Sequence, residues 1–129
     1  MTLLNISNHH LSSQQLELVK QHFGLDEISI VNLPKDLAEK YSNLPMNLED
    51  RKKLVGRILD WVKGQGSRLA HLDGDAHFVH LILKTALEKQ LDVKFFKFFT
   101  RREVLEQKLP DGSVKTTRVF RPVAVLEYV

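Results

Sequence analysis

Apolar positions along this chain switch between two periods, and the switches mark its elements. Thr2–Ile6 is a short apolar run that predicts a buried strand. It breaks into Ser7-Asn8-His9-His10, after which Leu16, Val19 and Phe23 recur at helical spacing. Ser12 or Ser13 suits the helix N-terminus and Gly24 its close, so a helix is expected to about His22. Ile28–Leu33 is β-branched and apolar and predicts a second strand. Pro34-Lys35-Asp36 opens a short helix from Leu37 to about Tyr41, and Ser42-Asn43-Leu44-Pro45 is a turn. Asn47 caps a longer helix carrying Leu54, Val55, Ile58, Leu59 and Val62 on one face, which Gly64-Gln65-Gly66-Ser67 ends.

Arg68–Leu72 predicts a third strand that runs into Asp73-Gly74-Asp75. Ala76–Gln90 predicts a helix with Phe78, Leu81, Ile82, Thr85 and Leu87 turned inward. Val93–Phe99 is strongly β-prone, a fourth strand whose phenylalanines fill both faces. Glu103–Leu109 and Val114–Phe120 flank Pro110-Asp111-Gly112-Ser113, a good hairpin signal. Val123–Tyr128 reads as a last strand, with Pro122 suited to an edge or a strand start.

Strands alternating with helices imply an α/β fold. The expectation is a Rossmann-like, mostly parallel sheet flanked by helices on both faces, with a C-terminal β-hairpin and edge strand. The 129 residues fit one domain, 1–129, without linker, repeat or low-complexity tract. Neither GxGxxG nor the Walker pattern occurs.

Composition narrows the picture only modestly. There is no apolar run of membrane-spanning length and no signal-peptide pattern, so neither a membrane partner nor export is expected. The absence of cysteine removes disulfides and thiolate metal sites and fits the cytoplasm. The net charge is +3, but from Lys94 onward eight Lys/Arg stand against four Asp/Glu. That bias suits either an anionic partner or a solvated strand face.

In a parallel sheet, ligands bind outside the carboxyl ends of the strands. Three segments are expected to converge there: Ser7–His10, Asp73–His77 and Thr100–Arg102, taken as following strands one, three and four. A helix N-terminus beside Ser7–His10 suits phosphate, and the imidazoles of His9 and His10 suit proton transfer near neutral pH. Arg101 and Arg102 suit bidentate phosphate binding. Asp75 is either a helix cap or a ribose ligand. His71, within a strand, reads as a satisfied core or face residue. His77 and His80 make at most half a metal site without a firm third ligand, so no metal and no other cofactor is expected.

Four stretches then carry a resemblance: Asn5-Ile6-Ser7-Asn8-His9 with Leu11-Ser12-Ser13-Gln14-Gln15; Leu72-Asp73-Gly74-Asp75; Thr100-Arg101-Arg102-Glu103-Val104; and Asp111-Gly112 with Phe120 to Tyr128. In their order and spacing the chain resembles the single-domain ring nucleases of type III CRISPR systems, which have a minimal CARF-like fold. The resemblance implies a homodimer that binds cyclic oligoadenylate, usually the four-membered ring, and cleaves it to switch off antiviral signalling. By position, Ser7, Asn8 and His9 fall in the first ligand loop, Gly74 and Asp75 in the second, and Thr100 and Arg102 in the third. His10 stands where relatives often carry Lys or Pro, and Arg101 is not fixed by the pattern. The implied chemistry is metal-independent in-line attack of a ribose 2′-hydroxyl, leaving a 2′,3′-cyclic phosphate. His9 would move the proton or donate to the phosphate, Ser7 and Asn8 would orient the hydroxyl, and Arg102 would hold the phosphate. His10, His77, Thr100 and Arg101 would be further substrate contacts.

Three other readings compete. One is a sensor or sponge that binds the ring without cutting it. Another is an unrelated nucleotide- or RNA-binding domain using Lys115, Arg118 and Arg121 on the hairpin. The third is a structural subunit with no small ligand. DNA is not an expected partner.

Overall fold

Capping chemistry sets the helix boundaries. Ser12 caps the first helix in a reciprocal box, its Oγ accepting from the Gln15 N–H while Gln15 Oε1 accepts from the Ser12 N–H. Gly24 closes that helix in the left-handed region, at φ 66°. Asn47 caps the longest helix through the Asp50 N–H, and Gly66 ends it.

The computed structural model describes residues 1–129. The elements are β1 (Thr2–Ile6), α1 (Ser13–Phe23), β2 (Ser29–Asn32), α2 (Lys35–Ser42), α3 (Leu48–Gln65), β3 (Leu69–Leu72), α4 (Ala76–Glu88), β4 (Lys94–Lys108) and β5 (Val114–Glu127). They form an α/β fold around one five-stranded sheet in the order β2-β1-β3-β4-β5. The first four strands run parallel, and β5 returns antiparallel to β4, so the sheet is mixed. No helix is long and apolar enough to cross a membrane.

Helices cover both faces of the sheet. On one side Leu4, Ile6, Ala70, Leu72 and Phe95 meet α2, α3 and α4 through Leu37, Ile58, Leu59, Phe78 and Ile82. On the other, Leu3, Leu69, Phe96, Phe98 and Val125 meet Val19 of α1, with Leu16 and Phe23 at the margin.

Several expectations change. The runs Val93–Phe99 and Glu103–Leu109 are one strand, Lys94–Lys108, and Val114–Phe120 and Val123–Tyr128 are likewise one strand, Val114–Glu127. Nothing between the runs turns the chain: Thr100-Arg101-Arg102 is compatible with extended backbone, and β4 pairs with β5 from Phe96 to Lys108. Pro122 is accommodated because β5 is an edge strand and the register shifts at that point, Phe99 facing Ala124 while Thr100 faces Pro122. The Asp-Gly turn is where it was expected, with Gly112 at φ 86°. In α4, Leu87 is 65% exposed and Ala86 takes the inward position. The helix ends at Glu88, two residues before Gln90 adopts a positive φ of 53°. Phe99 is 46% exposed, so three of the four strand phenylalanines, not all four, are core.

Candidate functional site

Asn5 is a polar residue in a buried strand, 2% exposed, and a buried amide must find partners. It finds four. Its Nδ2 donates to the His9 carbonyl at 2.8 Å and to Asn32 Oδ1 at 3.0 Å. Its Oδ1 accepts from Ser7 Oγ at 2.8 Å and lies 2.9 Å from His71 Nδ1. Ser7 also touches its own loop, its Oγ lying 3.1 Å from the His9 carbonyl and 3.3 Å from the His9 N–H. The loop after β1 is therefore held from below by one side chain. Asn8 is anchored separately, its Oδ1 accepting from Ser42 Oγ of α2 at 2.9 Å. His9 and His10 are exposed on top.

A pocket of about 220 Å³ opens beside this loop, lined by Ser7, Asn8, His9 and His10 with Asn5, Asn32 and, from α2, Ala38 and Ser42. His71 occupies the register position opposite Asn5 on β3. It is 4% exposed, and its ring packs against Phe98 and Phe96, with centroids 5.0 and 5.6 Å away. Burial pushes its pKa down to about 4, against a smaller opposing pull from Asp73, so the ring is neutral at pH 7.

The loop after β3 is built around its carbonyls. Tyr41 Oη donates to the Asp73 carbonyl at 2.6 Å, and Tyr128 Oη to the Leu72 carbonyl at 2.7 Å. Burial, then the Asp73 carboxylate, raises both phenols, Tyr128 to about 12. Gly74 has φ +156°, and a Cβ there would stand 2.5 Å from Tyr41 Oη. Its lack of a side chain thus has a packing cause. Asp75 is the N-cap of α4, accepting from the Phe78 N–H at 2.9 Å and from Arg51 Nη1 at 3.1 Å. The Phe78 N–H, then Arg51, holds its carboxyl below the usual range. The same Arg51 Nη1 lies 3.0 Å from His77 Nδ1; arginine can only donate, so that nitrogen accepts. With its cap in place, the N-terminus of α4 already faces a carboxylate.

Thr100–Arg102 does not follow strand four; it lies inside β4. The last pairing of β3 with β4 is His71 to Phe96, and Arg102 stands six residues beyond it. At about 3.3 Å per residue that is roughly 20 Å along the strand. The segment leaves from the same end of the sheet as Ser7–His10 and Asp73–His77, the carboxyl end of the parallel strands. Within one copy, however, Arg102 is carried up an arm of two strands rather than set beside His9. Its guanidinium lies 5.8 Å from the Phe120 ring centroid, its cross-strand partner. Arg101 faces Arg121, which lies 3.7 Å from Glu103. Thr100, Arg101 and Arg102 are all exposed.

The structure thus unites Ser7, Asn8, His9 and His10 around one pocket, groups Gly74, Asp75 and His77 at the next strand end, and sets Thr100, Arg101 and Arg102 apart from both. Sequence reasoning passed over Asn5, Asn32, Arg51, Tyr41 and Tyr128 as site components. It took His71 for a satisfied residue, and its Nδ1 is indeed satisfied. The available signal was the polar residue next to the end of each apolar strand, Asn5 in TLLNI and His71 in LAHL. Parallel pairing in register puts those two opposite each other.

The family described as "Uncharacterized protein MJ1673 family" matches residues 1–124 of the chain. The chain is similar to "Uncharacterized protein MJ1673" of Methanocaldococcus jannaschii, 22% identical over 123 residues, covering 94% of this chain and 92% of that protein. No solved structure matches it.

Proposed function

We propose that this chain, which belongs to the MJ1673 family, is a cytoplasmic, metal-independent ring nuclease that binds cyclic tetra-adenylate between two copies and cleaves it. The observation that carries this reading is the Ser7–His10 loop. It lies at the carboxyl end of the parallel strands, is fixed by Asn5, and presents an imidazole beside a polar pocket. A volume of about 220 Å³ accommodates part of one nucleotide, not a ring of four. The ring therefore needs a second, symmetry-related pocket, and a two-fold dimer supplies one.

The ring brings its own nucleophile, the ribose 2′-hydroxyl. Ser7 and Asn8 orient that hydroxyl, His9 takes its proton or donates to the phosphate, and attack on the neighbouring phosphorus expels the 5′-oxygen, which takes up a proton from His9 or water. A 2′,3′-cyclic phosphate and a 5′-hydroxyl result, through positioning and charge stabilisation. Arg102 sits too far along the arm to join its own His9, so we assign it to the phosphate that spans the dimer. His10 and His77 are further substrate contacts, and Thr100 and Arg101, carried on the arm with Arg102, act across the dimer. Asp75 and Gly74 shape the second loop, the first by capping α4 and the second by admitting Tyr41.

The arm supports the dimer. Val104, Leu105, Val114 and Phe120 are each more than half exposed on it, and a lone two-stranded ribbon is marginal in water. One observation favours a second reading, a sponge that binds without cutting: no single copy joins His9 to Arg102. Substitution separates the two. Under the nuclease reading His9→Ala lowers cleavage by about 10²–10⁴-fold while ring binding persists, and Arg102→Ala weakens both. Binding by every variant with no product from wild type selects the sponge.

A further inference from the structure

We propose that His71 is the residue that reads a ribose 2′-hydroxyl at this site, accepting its hydrogen bond through Nε2. The inference rests on the oligoadenylate reading above. Its geometric basis is the Asn5 amide. The His9 carbonyl can only accept, so the Asn5 atom 2.8 Å from it is the nitrogen, and the atom facing His71 is the oxygen. An amide oxygen can only accept, so His71 carries its proton on Nδ1. A neutral imidazole protonated at Nδ1 has its lone pair at Nε2.

That Nε2 has no partner within the chain, and it is not among the fully enclosed polar atoms, although the residue as a whole is 4% exposed. Phe96 and Phe98 hold the ring, and His9, Lys97 and Asp73 are the charged or titratable groups that act on it, all at the carboxyl end. The result is an acceptor that stays unprotonated at neutral pH. With its pKa near 4 it is a poor proton acceptor, so proton transfer stays with His9 and His71 serves recognition. A cyclic oligoadenylate offers two kinds of donor, the 2′-hydroxyl and the adenine amine. Ser7 Oγ and His71 Nδ1 meet on the same Asn5 oxygen, which ties His71 to two residues that line the pocket. A site built to bond a hydroxyl discriminates against an analogue lacking it.

The test uses His71→Asn, whose amide nitrogen can replace the Nδ1 donor to Asn5 while leaving nothing at Nε2, and His71→Leu, which removes both. Cyclic tetra-adenylate and its 2′-deoxy counterpart are titrated calorimetrically against these variants on a His9→Ala background, where the ring persists. The parent is expected to prefer the ribose ring about tenfold or more. His71→Asn should bind both rings with the parent's affinity for the deoxy ring, and His71→Leu should weaken both. A ribose preference that survives in His71→Asn overturns the inference and leaves the nuclease reading standing. So does an equal loss on both rings, which assigns Nε2 to the adenine amine. Failure of wild type to bind either ring overturns both readings together. Nitrogen NMR of the imidazoles is a check without ligand: an Nδ1–H tautomer for His71 is expected, and an Nε2–H tautomer overturns the inference outright.

Discussion

Phe96 and Phe120 belong to the same two-stranded ribbon, and their surroundings could hardly differ more. Phe96 is fully buried between α1 and the sheet, ringed by Phe23, Phe98 and His71, whereas Phe120 is 66% exposed with only Arg102 over its ring. The backbone ladder continues from one to the other. What changes is the covering. Below Phe99 the ribbon is the edge of a five-stranded sheet with helices on both faces; above it, the two strands stand alone. Ladder hydrogen bonds exchange for water with little net gain, so stability follows the buried apolar area, and that lies almost wholly in the body. The arm keeps its apolar side chains for another surface, which we assign to the second copy.

Core truncation gives the largest expected contrast. Phe96→Ala should cost about 3–5 kcal/mol in urea denaturation, while Phe120→Ala should change a single copy by less than about 0.5 kcal/mol and instead weaken the dimer in sedimentation. A comparable loss at Phe120 in a dilute, monomeric sample would break the comparison. Next comes the polar pair inside the body. The pKa of His71 falls from 6.5 unfolded to about 4 folded, so the unfolded chain binds the extra proton. Its neutral form contributes stability in full above pH 6.5 and loses it as pH falls toward 4, up to about 3 kcal/mol. His71→Asn should flatten that portion of the stability–pH curve; an unchanged slope would place its origin elsewhere.

A smaller effect is expected at Gly74→Ala, about 2 kcal/mol, from backbone strain and the approach to Tyr41. Adding Tyr41→Phe removes the nearest atom and should recover part of the loss, as a double-mutant cycle would register. The smallest energies belong to the arm itself. Amides from Thr100 to Arg121 should exchange fast in the single copy and slow on dimerisation, and uniform protection in dilute solution would deny the arm its dependence on a partner.

The two regions also differed in how legible they were. The body announced itself: Ser12 or Ser13, Asn47, Gly24 and the Gly64–Ser67 stretch mark helix ends by local chemistry, and the apolar faces of α3 and α4 repeat at helical spacing. The two long strands read as four pieces because charged and hydroxyl residues at Thr100–Arg102 look like a loop, and Pro122 looks like a break. Only pairing with a partner strand, a non-local property, keeps them extended. The site was half legible for a related reason. His9 and Asp75 could be picked from polar residues after strand ends, but the support from Asn5, His71 and Arg51 depends on register and on helix placement. Arg102 followed the strand it was wrongly thought to end.

The most direct test is incubation of the pure protein with cyclic tetra-adenylate in EDTA, followed by liquid chromatography and mass spectrometry. The account predicts linear products ending in a 2′,3′-cyclic phosphate, formed at a rate indifferent to the chelator. An intact ring after long incubation, with no rise in melting temperature, would contradict it.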